Sequence, residues 1–260
     1  MSAEGGPLAD IGVLITRPAR QAAGFAQKIA ALSGKPVVFP AIVILPPADR
    51  GPLERAHAAL PECDYAVFVS ANAVEYGAPD PRRWPASLVA FAPGPGTAEA
   101  LAAVGIAGAR IPATTFDSEG LLALPEFGDV RGKRVIIFRG DGGRELLGTT
   151  LAERGARVDY VACYRRAKPS SGVAGLTEAF RDGRIDAVTI TSSEGLENLW
   201  ALSDDAMRSA WRVRPTFVPH PRIATRAREL GLVVVATPAG DAGLIAGLLE
   251  WAASRNNREQ

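Results

Sequence analysis

Short runs of apolar and β-branched residues alternate along the chain with segments of helical periodicity. Residues 11–16 form such a run, and Ala22, Phe25 and Ile29 behind it fall on one face of a helix. Further strands are predicted at residues 65–70, 88–92, 134–138, 186–191, 216–218 and 232–236. A helical segment follows nearly every one of them. This alternation predicts βαβ units, whose parallel sheets are covered by helices on both faces.

The order of these segments repeats within the chain. Three pairs of segments are similar, namely 65–74 and 186–195, 91–101 and 217–227, and 118–122 and 241–245. A fourth unit, residues 134–140, ends the first copy, and its counterpart for the second copy is residues 11–17, at the other end of the chain. The N-terminal strand is therefore predicted to complete the sheet of the C-terminal copy.

This permuted order predicts two α/β domains, each a doubly wound parallel sheet, of which one is discontinuous. The discontinuous domain takes residues 10–36 and 170–255, and residues 52–156 form the other. The chain crosses between them at residues 37–51 and 157–169, where β-branched, aromatic and proline residues favour extended backbone. Two such crossings side by side predict a two-stranded β linker that acts as a hinge, with a cleft between the domains.

Composition narrows the classes of function. The 260 residues carry a formal net charge of +1, which predicts no general attraction to nucleic acid or to a membrane surface. No apolar run approaches the ~18 residues of a membrane span, and no signal-peptide pattern occurs. Cys63 and Cys163 lie far apart, without metal-ligand spacing. We therefore expect reduced cysteines, no metal and a cytoplasmic location.

Small and polar residues cluster where predicted strands end and helices begin. Ligands of open parallel sheets bind beyond the carboxyl ends of the strands, where helix starts present free N–H groups and a positive dipole end. The segments of this kind are Thr16-Arg17, Ser70-Ala71-Asn72, Gly94 to Thr97, Arg139-Gly140, Thr191-Ser192-Ser193 and His220-Pro221-Arg222. Ordinary helix capping explains any one of them, but the whole set favours a ligand with several negative charges.

Two glycine-rich segments fail the tests for nucleotide sites. After Gly94, the third glycine of the dinucleotide fingerprint would fall at Glu99, and residues 140–145 lack the Lys-Ser/Thr ending of a P-loop. These failures count against the rival hypothesis of a nucleotide-dependent transferase. Clear stabilisation of the protein by a nucleotide would revive it.

Taken in order, the motifs resemble the uroporphyrinogen-III synthase family over residues 10–252. The similar segments are Thr16-Arg17-Pro18, residues 68–74, residues 94–98, residues 118–122, residues 139–145, residues 161–164 and residues 191–195. Each motif is short, and their order and spacing together give the specificity. The resemblance implies two doubly wound α/β domains with a two-stranded linker, a layout that the repeat predicts independently.

The resemblance also implies an activity, the cyclisation of hydroxymethylbilane to uroporphyrinogen III with loss of water and inversion of the terminal pyrrole. Such enzymes use no cofactor or metal, and main-chain amides and hydroxyls are thought to hold the eight substrate carboxylates. Tyr164 is then the candidate catalytic residue, hydrogen bonding to the departing hydroxyl. The candidate binding residues are Arg17, Ser70, Ala71, Asn72, Gly94, Thr97, Ser118, Arg139, Gly140, Arg144, Ser192, Ser193, Pro221 and Arg222. We expect a monomer that binds this small molecule and neither nucleic acid nor membrane.

One turn departs from the family pattern. The second Gly-x-x-Thr-Ala turn would fall at residues 220–224, where His220 replaces glycine and Ile223 replaces threonine. Arg222 there offers a charged contact to a carboxylate. Three interpretations stay open: this copy binds its share of the substrate differently, the enzyme is weakened, or the chain binds a tetrapyrrole or another polycarboxylate without turnover.

Overall fold

The computed structural model of the chain describes residues 5–256. These residues divide into two compact units. The inserted unit is Ile44–Arg166, and the split unit comprises the described residues before Ile44 and after Arg166. Within these residues each unit contains one five-stranded sheet. The predicted fold class, two α/β domains of which one is discontinuous, is confirmed.

Every strand predicted above is present, with its ends within two residues of the prediction. The strands are β1 (Gly12–Ile15), β2 (Lys35–Val38), β3 (Val43–Leu45), β4 (Tyr65–Phe68), β5 (Val89–Phe91), β6 (Arg134–Gly140), β7 (Arg157–Ala167), β8 (Ala187–Thr189), β9 (Pro215–Val218) and β10 (Val233–Ala236). The α-helices are α1 (Ala19–Ala31), α2 (Gly51–Ala59), α3 (Ala71–Gly77), α4 (Pro95–Ala103), α5 (Ser118–Leu122), α6 (Leu146–Glu153), α7 (Val173–Arg181), α8 (Ser193–Leu202), α9 (Asp205–Arg212), α10 (Pro221–Glu229) and α11 (Gly240–Asn256). Between residues 5 and 256, none of these helices combines the length and apolar character that crossing a membrane requires.

The sheet of the split unit is parallel throughout, in the order β10-β9-β8-β1-β2. Alternate residues of a strand point to opposite faces, so a strand that is covered on both sides is apolar along its whole length. Along β1, Leu14 packs into a core with α7 to α10, whereas Val13 and Ile15 pack into a second core with α1 and α11. The N-terminal strand therefore lies between β8 and β2 and completes this sheet, as the repeat predicts.

The sheet of the inserted unit has the order β3-β7-β6-β4-β5, and its pairs from β7 to β5 are parallel. Along β6, Ile136 and Phe138 pack with α2, α3 and α4, and Val135 and Ile137 pack with α5 and α6. The short strand β3 lies next to β7, so both crossing segments include extended backbone. The boundaries given above for the domains and the linker, and the cleft, stay predictions.

The pairing of β6 with β7 shifts at its end. Arg139 lies opposite Ala162 and Gly140 lies opposite Tyr164, so Cys163 is an extra residue on β7. A bulge of this kind changes the direction of the side chains around it. Here it places Tyr164 beside Gly140, at the carboxyl end of β6.

Candidate functional site

A cavity of about 210 Å³ lies at the carboxyl ends of β4 and β6. Its lining residues are Val69, Ser70, Ser118, Ile137, Arg139, Gly140, Gly142, Gly143, Arg144, Leu147, Tyr160, Tyr164 and Arg166. Six of them are candidates from the sequence: Ser70, Ser118, Arg139, Gly140, Arg144 and Tyr164. Guanidinium and hydroxyl donors together suit a ligand that carries carboxylates. We call this the inserted-unit cavity.

Tyr164 forms part of the wall of this cavity. The residue is only 4% exposed, and its ring lies so close to Gly140 that a Cβ there would come within 2.8 Å of it. Its hydroxyl is 3.4 Å from the Ser70 Oγ, which also accepts the N–H of Ala73 and so caps α3. Glycine at position 140 and the bulge thus fix the ring, and the hydroxyl lies next to a helix cap.

The arginines of the inserted-unit cavity differ in their partners. Arg144 donates to both carboxylate oxygens of Glu119, at 2.7 and 3.2 Å, and these hydrogen bonds hold the pKa of Glu119 below its ordinary value. The half-buried Arg139 stacks on the ring of Tyr160, with its Cζ 4.8 Å from the ring centroid. No carboxylate within residues 5–256 pairs with it. Of these two arginines, Arg139 is therefore the one whose guanidinium is not already paired with a carboxylate.

The split unit has its own cavity, also at the carboxyl ends of its strands. Its volume is about 350 Å³, and it is lined by Thr191, Ser192, Ser193, His220, Arg222 and Ile223. Ser192 caps α8 by accepting the N–H of Gly195 at 3.0 Å, whereas His220 begins α10 without a side-chain cap. The Oγ of Ser193 is buried and finds no hydrogen-bond partner in the described part of the chain. We call this the split-unit cavity.

The other candidate residues from the sequence line neither cavity. They are Arg17, Ala71, Asn72, Gly94, Thr97 and Pro221. The Nη1 of Arg17 lies 2.6 Å from the Asp241 Oδ1, and its guanidinium stacks on Phe25. Thr97 is the third residue of α4 and only 8% exposed. Binding roles for these six residues stay predictions.

Several lining residues are absent from the sequence-based set, above all Tyr160 and Arg166. Alternation along β7 leads from Tyr164 forward to Arg166, and this is a usable signal for that residue. It does not lead back to Tyr160, because the extra residue Cys163 lies between the two tyrosines and shifts the alternation. The departures His220 and Ile223, noted in the sequence, both line the split-unit cavity.

Neither cysteine chemistry nor a metal cluster adds to these cavities. Cys63 and Cys163 are free thiols, and burial raises the pKa of Cys163 to about 12, so it stays protonated at neutral pH. From residue 5 to residue 256, no three His, Cys, Asp or Glu side chains come together as a metal site would require.

Comparison with known proteins identifies the family. A family model described as "Uroporphyrinogen-III synthase HemD" matches residues 23–246. The uroporphyrinogen-III synthase of Salmonella typhimurium is 36% identical over 228 residues, which cover 85% of this chain and 92% of the relative. The chain belongs to the uroporphyrinogen-III synthase family. The synthase of Escherichia coli is 34% identical over 226 residues, with the same shares covered.

Solved structures of other uroporphyrinogen-III synthases have the same fold. A mutant synthase from Thermus thermophilus matches with a TM-score of 0.54 and 22% identity, covering 94% of this chain and 99% of that one. The Helicobacter pylori synthetase matches with a TM-score of 0.55 and 14% identity, with equal coverage. The predicted family and enzyme class are therefore confirmed, and the relatives support the synthase, not the non-catalytic alternative.

Proposed function

We propose that this chain cyclises hydroxymethylbilane to uroporphyrinogen III, with loss of water and inversion of the terminal pyrrole, and that its inserted-unit cavity binds the substrate. One observation carries the site assignment. A half-buried guanidinium without a carboxylate partner among residues 5–256, that of Arg139, lines the same cavity as the hydroxyl of Tyr164. The two groups fit a substrate with acidic side chains and a departing hydroxyl.

Arg139 is the main carboxylate receptor in this proposal. A partly buried cation is stabilised by an anionic partner, and charge-assisted hydrogen bonds between guanidinium and carboxylate are about twice as strong as neutral ones. The hydroxyls of Ser70 and Ser118 lie in the same wall and can donate to further carboxylate oxygens. Arg144 is already held by Glu119, so a substrate carboxylate would have to displace that side chain first.

Tyr164 has the catalytic role. Its hydroxyl donates a hydrogen bond and then its proton to the substrate hydroxyl, the C–O bond breaks, and water departs to leave a cationic pyrrole end. The phenolate regains the proton that the attacked pyrrole carbon loses when the ring closes. A phenol is a weak acid at neutral pH, so this hydrogen bond assists the step without dominating it. The larger contribution comes from holding the two ends of a flexible chain together, and orientation of this kind can be worth ~7–11 kcal/mol.

The split-unit cavity supplies a second place for carboxylates. Arg222 and His220 lie at the start of the nine-residue helix α10, where the helix dipole favours negative charge. Exposed helix-end contacts are each worth only ~0.3–1 kcal/mol, so this cavity contributes to binding without carrying it alone.

A coupled assay tests the proposal. Hydroxymethylbilane is generated in situ by its upstream deaminase, and the oxidised products are separated into porphyrin isomers I and III. We expect predominantly isomer III. Arg139→Ala should raise KM about tenfold, as loss of a charged hydrogen bond worth ~1.5 kcal/mol implies. Tyr164→Phe should lower kcat about tenfold with KM unchanged.

The matched control is Arg131→Ala, which removes an exposed arginine of the inserted unit that does not line the cavity. Its KM should equal that of the wild type. Isomer I alone, from folded protein, would contradict the activity. An unchanged KM in Arg139→Ala would instead remove the inserted-unit cavity from substrate binding.

A further inference from the structure

Tyr160 is an exposed aromatic residue of β7 whose ring and hydroxyl are both engaged. It is 41% exposed, and its ring lies 4.8 Å from the Arg139 Cζ. Its hydroxyl accepts the N–H of Gly148 at 3.0 Å and donates to the carbonyl of Glu145 at 3.0 Å. A large aromatic side chain with this exposure and this many fixed contacts calls for an explanation beyond packing.

We infer that Tyr160 is a positioning residue for the synthase reaction, which holds the guanidinium of Arg139 in place to receive a substrate carboxylate. The inference rests on the proposed function of the inserted-unit cavity and deepens it, because it names the group that orients the receptor. Tyr160 acts through Arg139 and takes no part in the chemical step.

Tyr160 and Gly143 border the guanidinium of Arg139 on two sides. A cation above an aromatic face is attracted by the ring, and a long flexible side chain that is ordered before binding loses less freedom when the ligand arrives. On another side Arg139 is bordered by Gly143, which has a φ of +127° that favours glycine. A Cβ at position 143 would lie 3.2 Å from the Arg139 Nη2. Ring and glycine together restrict where the guanidinium can lie.

Tyr160 also contacts the start of α6, a helix that contributes to the cavity wall. Glu145 precedes this helix without making a side-chain cap. The Tyr160 hydroxyl supplies the missing acceptor for the N–H of Gly148, the third residue of the helix. A Cβ at position 148 would lie 2.2 Å from this hydroxyl, so glycine there makes room for Tyr160. The tyrosine therefore fixes β7, the loop before α6 and Arg139 together.

A comparison within the chain shows why the stacking matters for Arg139. Two arginines, Arg208 and Arg212, also stack on one aromatic ring, that of Trp200. Both have further partners, since Arg208 donates to the carbonyl of Trp200 and Arg212 to that of Leu230. No hydrogen bond or ion pair of the Arg139 guanidinium is found in residues 5–256. Its orientation therefore depends on Tyr160.

The test compares two substitutions that remove the same hydroxyl. Tyr160→Phe keeps the ring under Arg139, and Tyr160→Leu removes it. Both should lower Tm, because both lose the cap of α6. Tyr160→Phe should keep KM within about twofold of the wild type, whereas Tyr160→Leu should raise it about two- to fivefold, the range of an exposed cation–π contact. In the Arg139→Ala background, Tyr160→Leu should raise KM no further.

The matched control is Trp200→Leu, which removes an arginine-stacked ring that lines neither cavity. It should lower Tm and leave KM unchanged. A wild-type KM in Tyr160→Leu, with a raised KM in Arg139→Ala, would overturn the positioning role while the cavity assignment stands. Additive effects in the double variant would overturn it as well. A wild-type KM in Arg139→Ala would overturn both the inference and the site assignment on which it rests.

Discussion

Arg17 in the split unit and Arg139 in the inserted unit lie near the carboxyl ends of the corresponding central strands of the two sheets. Arg17 follows β1, which lies between β8 and β2, and Arg139 lies near the end of β6, between β4 and β7. Both guanidinium groups stack on an aromatic ring, Phe25 at 4.7 Å and Tyr160 at 4.8 Å. Within residues 5–256, only Arg17 of the two has an acidic partner, Asp241. Equivalent positions of one fold therefore differ in their partners: the guanidinium of Arg17 is ion-paired, and that of Arg139 has no carboxylate partner in residues 5–256.

The position of one acidic residue accounts for this difference. Asp241 lies at the start of α11, and the equivalent helix of the inserted unit, α5, has Glu119 at its start. Asp241 pairs with Arg17, the arginine that follows the central strand. Glu119 pairs with Arg144 in the loop instead, which leaves Arg139 without a carboxylate partner in residues 5–256. The charge pairing, more than the strand order, therefore decides which of the two guanidinium groups is left without a carboxylate partner in the described residues.

The strongest way to break this comparison is to move the ring of Tyr164, the proposed catalytic residue of the inserted unit. Gly140→Ala places a Cβ 2.8 Å from the ring of Tyr164, so the ring must shift. A displacement of about 1 Å can cost about 100-fold in rate, and we expect kcat to fall between about 10- and 100-fold. Steady-state kinetics in the coupled assay measure it.

Gly175→Ala serves as its control, because a Cβ at position 175, on the exposed side of α7, meets no atom within 4 Å and Gly175 lines neither cavity. This variant should retain wild-type kcat. A Gly140→Ala enzyme with normal kcat would show that the present place of the Tyr164 ring is not needed for the reaction.

The next largest effect is expected from breaking the ion pair between Arg17 and Asp241 in the split unit. Asp241→Asn leaves Arg17 without its charged partner. Because the Arg17 side chain is only 12% exposed, the free energy of unfolding should fall by about 1 kcal/mol. Substrate KM should not change. Asp10→Asn, which removes a fully exposed pair with Lys35, should have no measurable effect on unfolding. Urea unfolding measures both, and an unchanged stability in Asp241→Asn would show that Arg17 needs no acidic partner.

The pH dependence of the same pair has a definite sign. Burial acts to raise the pKa of Asp241, but hydrogen bonds from Lys28 and Arg17 outweigh it and hold the pKa below its ordinary value of 3.8. The pair therefore stabilises the fold fully above that value, and the stabilisation is lost as the pH falls through the lowered pKa. The difference between wild type and Asp241→Asn should accordingly be constant near neutral pH and shrink only below about pH 4.

Most of the fold could be predicted from the sequence, because strands buried on both faces are recognisable as apolar runs. The repeat then placed β1 in the sheet of the C-terminal copy. The pattern of apolar residues does not predict the strand β2, because this strand lies at an edge of the sheet. Its four residues are Lys, Pro, Val and Val, none of them fully buried, so neither an apolar run nor a clear alternation marks it.

The candidate site could be predicted in part. The predicted ends of β4 and β6 include Ser70, Arg139 and Gly140. The family resemblance adds Ser118, Arg144 and Tyr164, and all six residues line the inserted-unit cavity. Arg17 and Arg139 could not be told apart, because the partner of Arg17 is 224 positions away in sequence. Ile223 replaces the threonine of the family pattern, and it both lines the split-unit cavity and packs in the core covered by α10, with 3% of its surface exposed. A substitution there changes packing as well as the cavity.

The smallest change in KM is expected on substitution of Arg222, and its size relative to that of Arg139→Ala compares the two cavities. Arg222 is exposed at the start of α10, with no ion pair in the described residues, so a carboxylate bound there stays largely solvated. Arg222→Gln should raise KM about two- to fivefold at low salt, the range of an exposed helix-end contact, and the effect should vanish at high salt through screening. Arg228→Gln, on the exposed last turn of the same helix, is the control and should change KM at neither salt concentration. A KM effect as large as that of Arg139→Ala, and insensitive to salt, would mean that the two cavities share the binding equally. An effect confined to low salt would mean that the half-buried Arg139 dominates because its charge is desolvated, which is the physical difference between the two cavities.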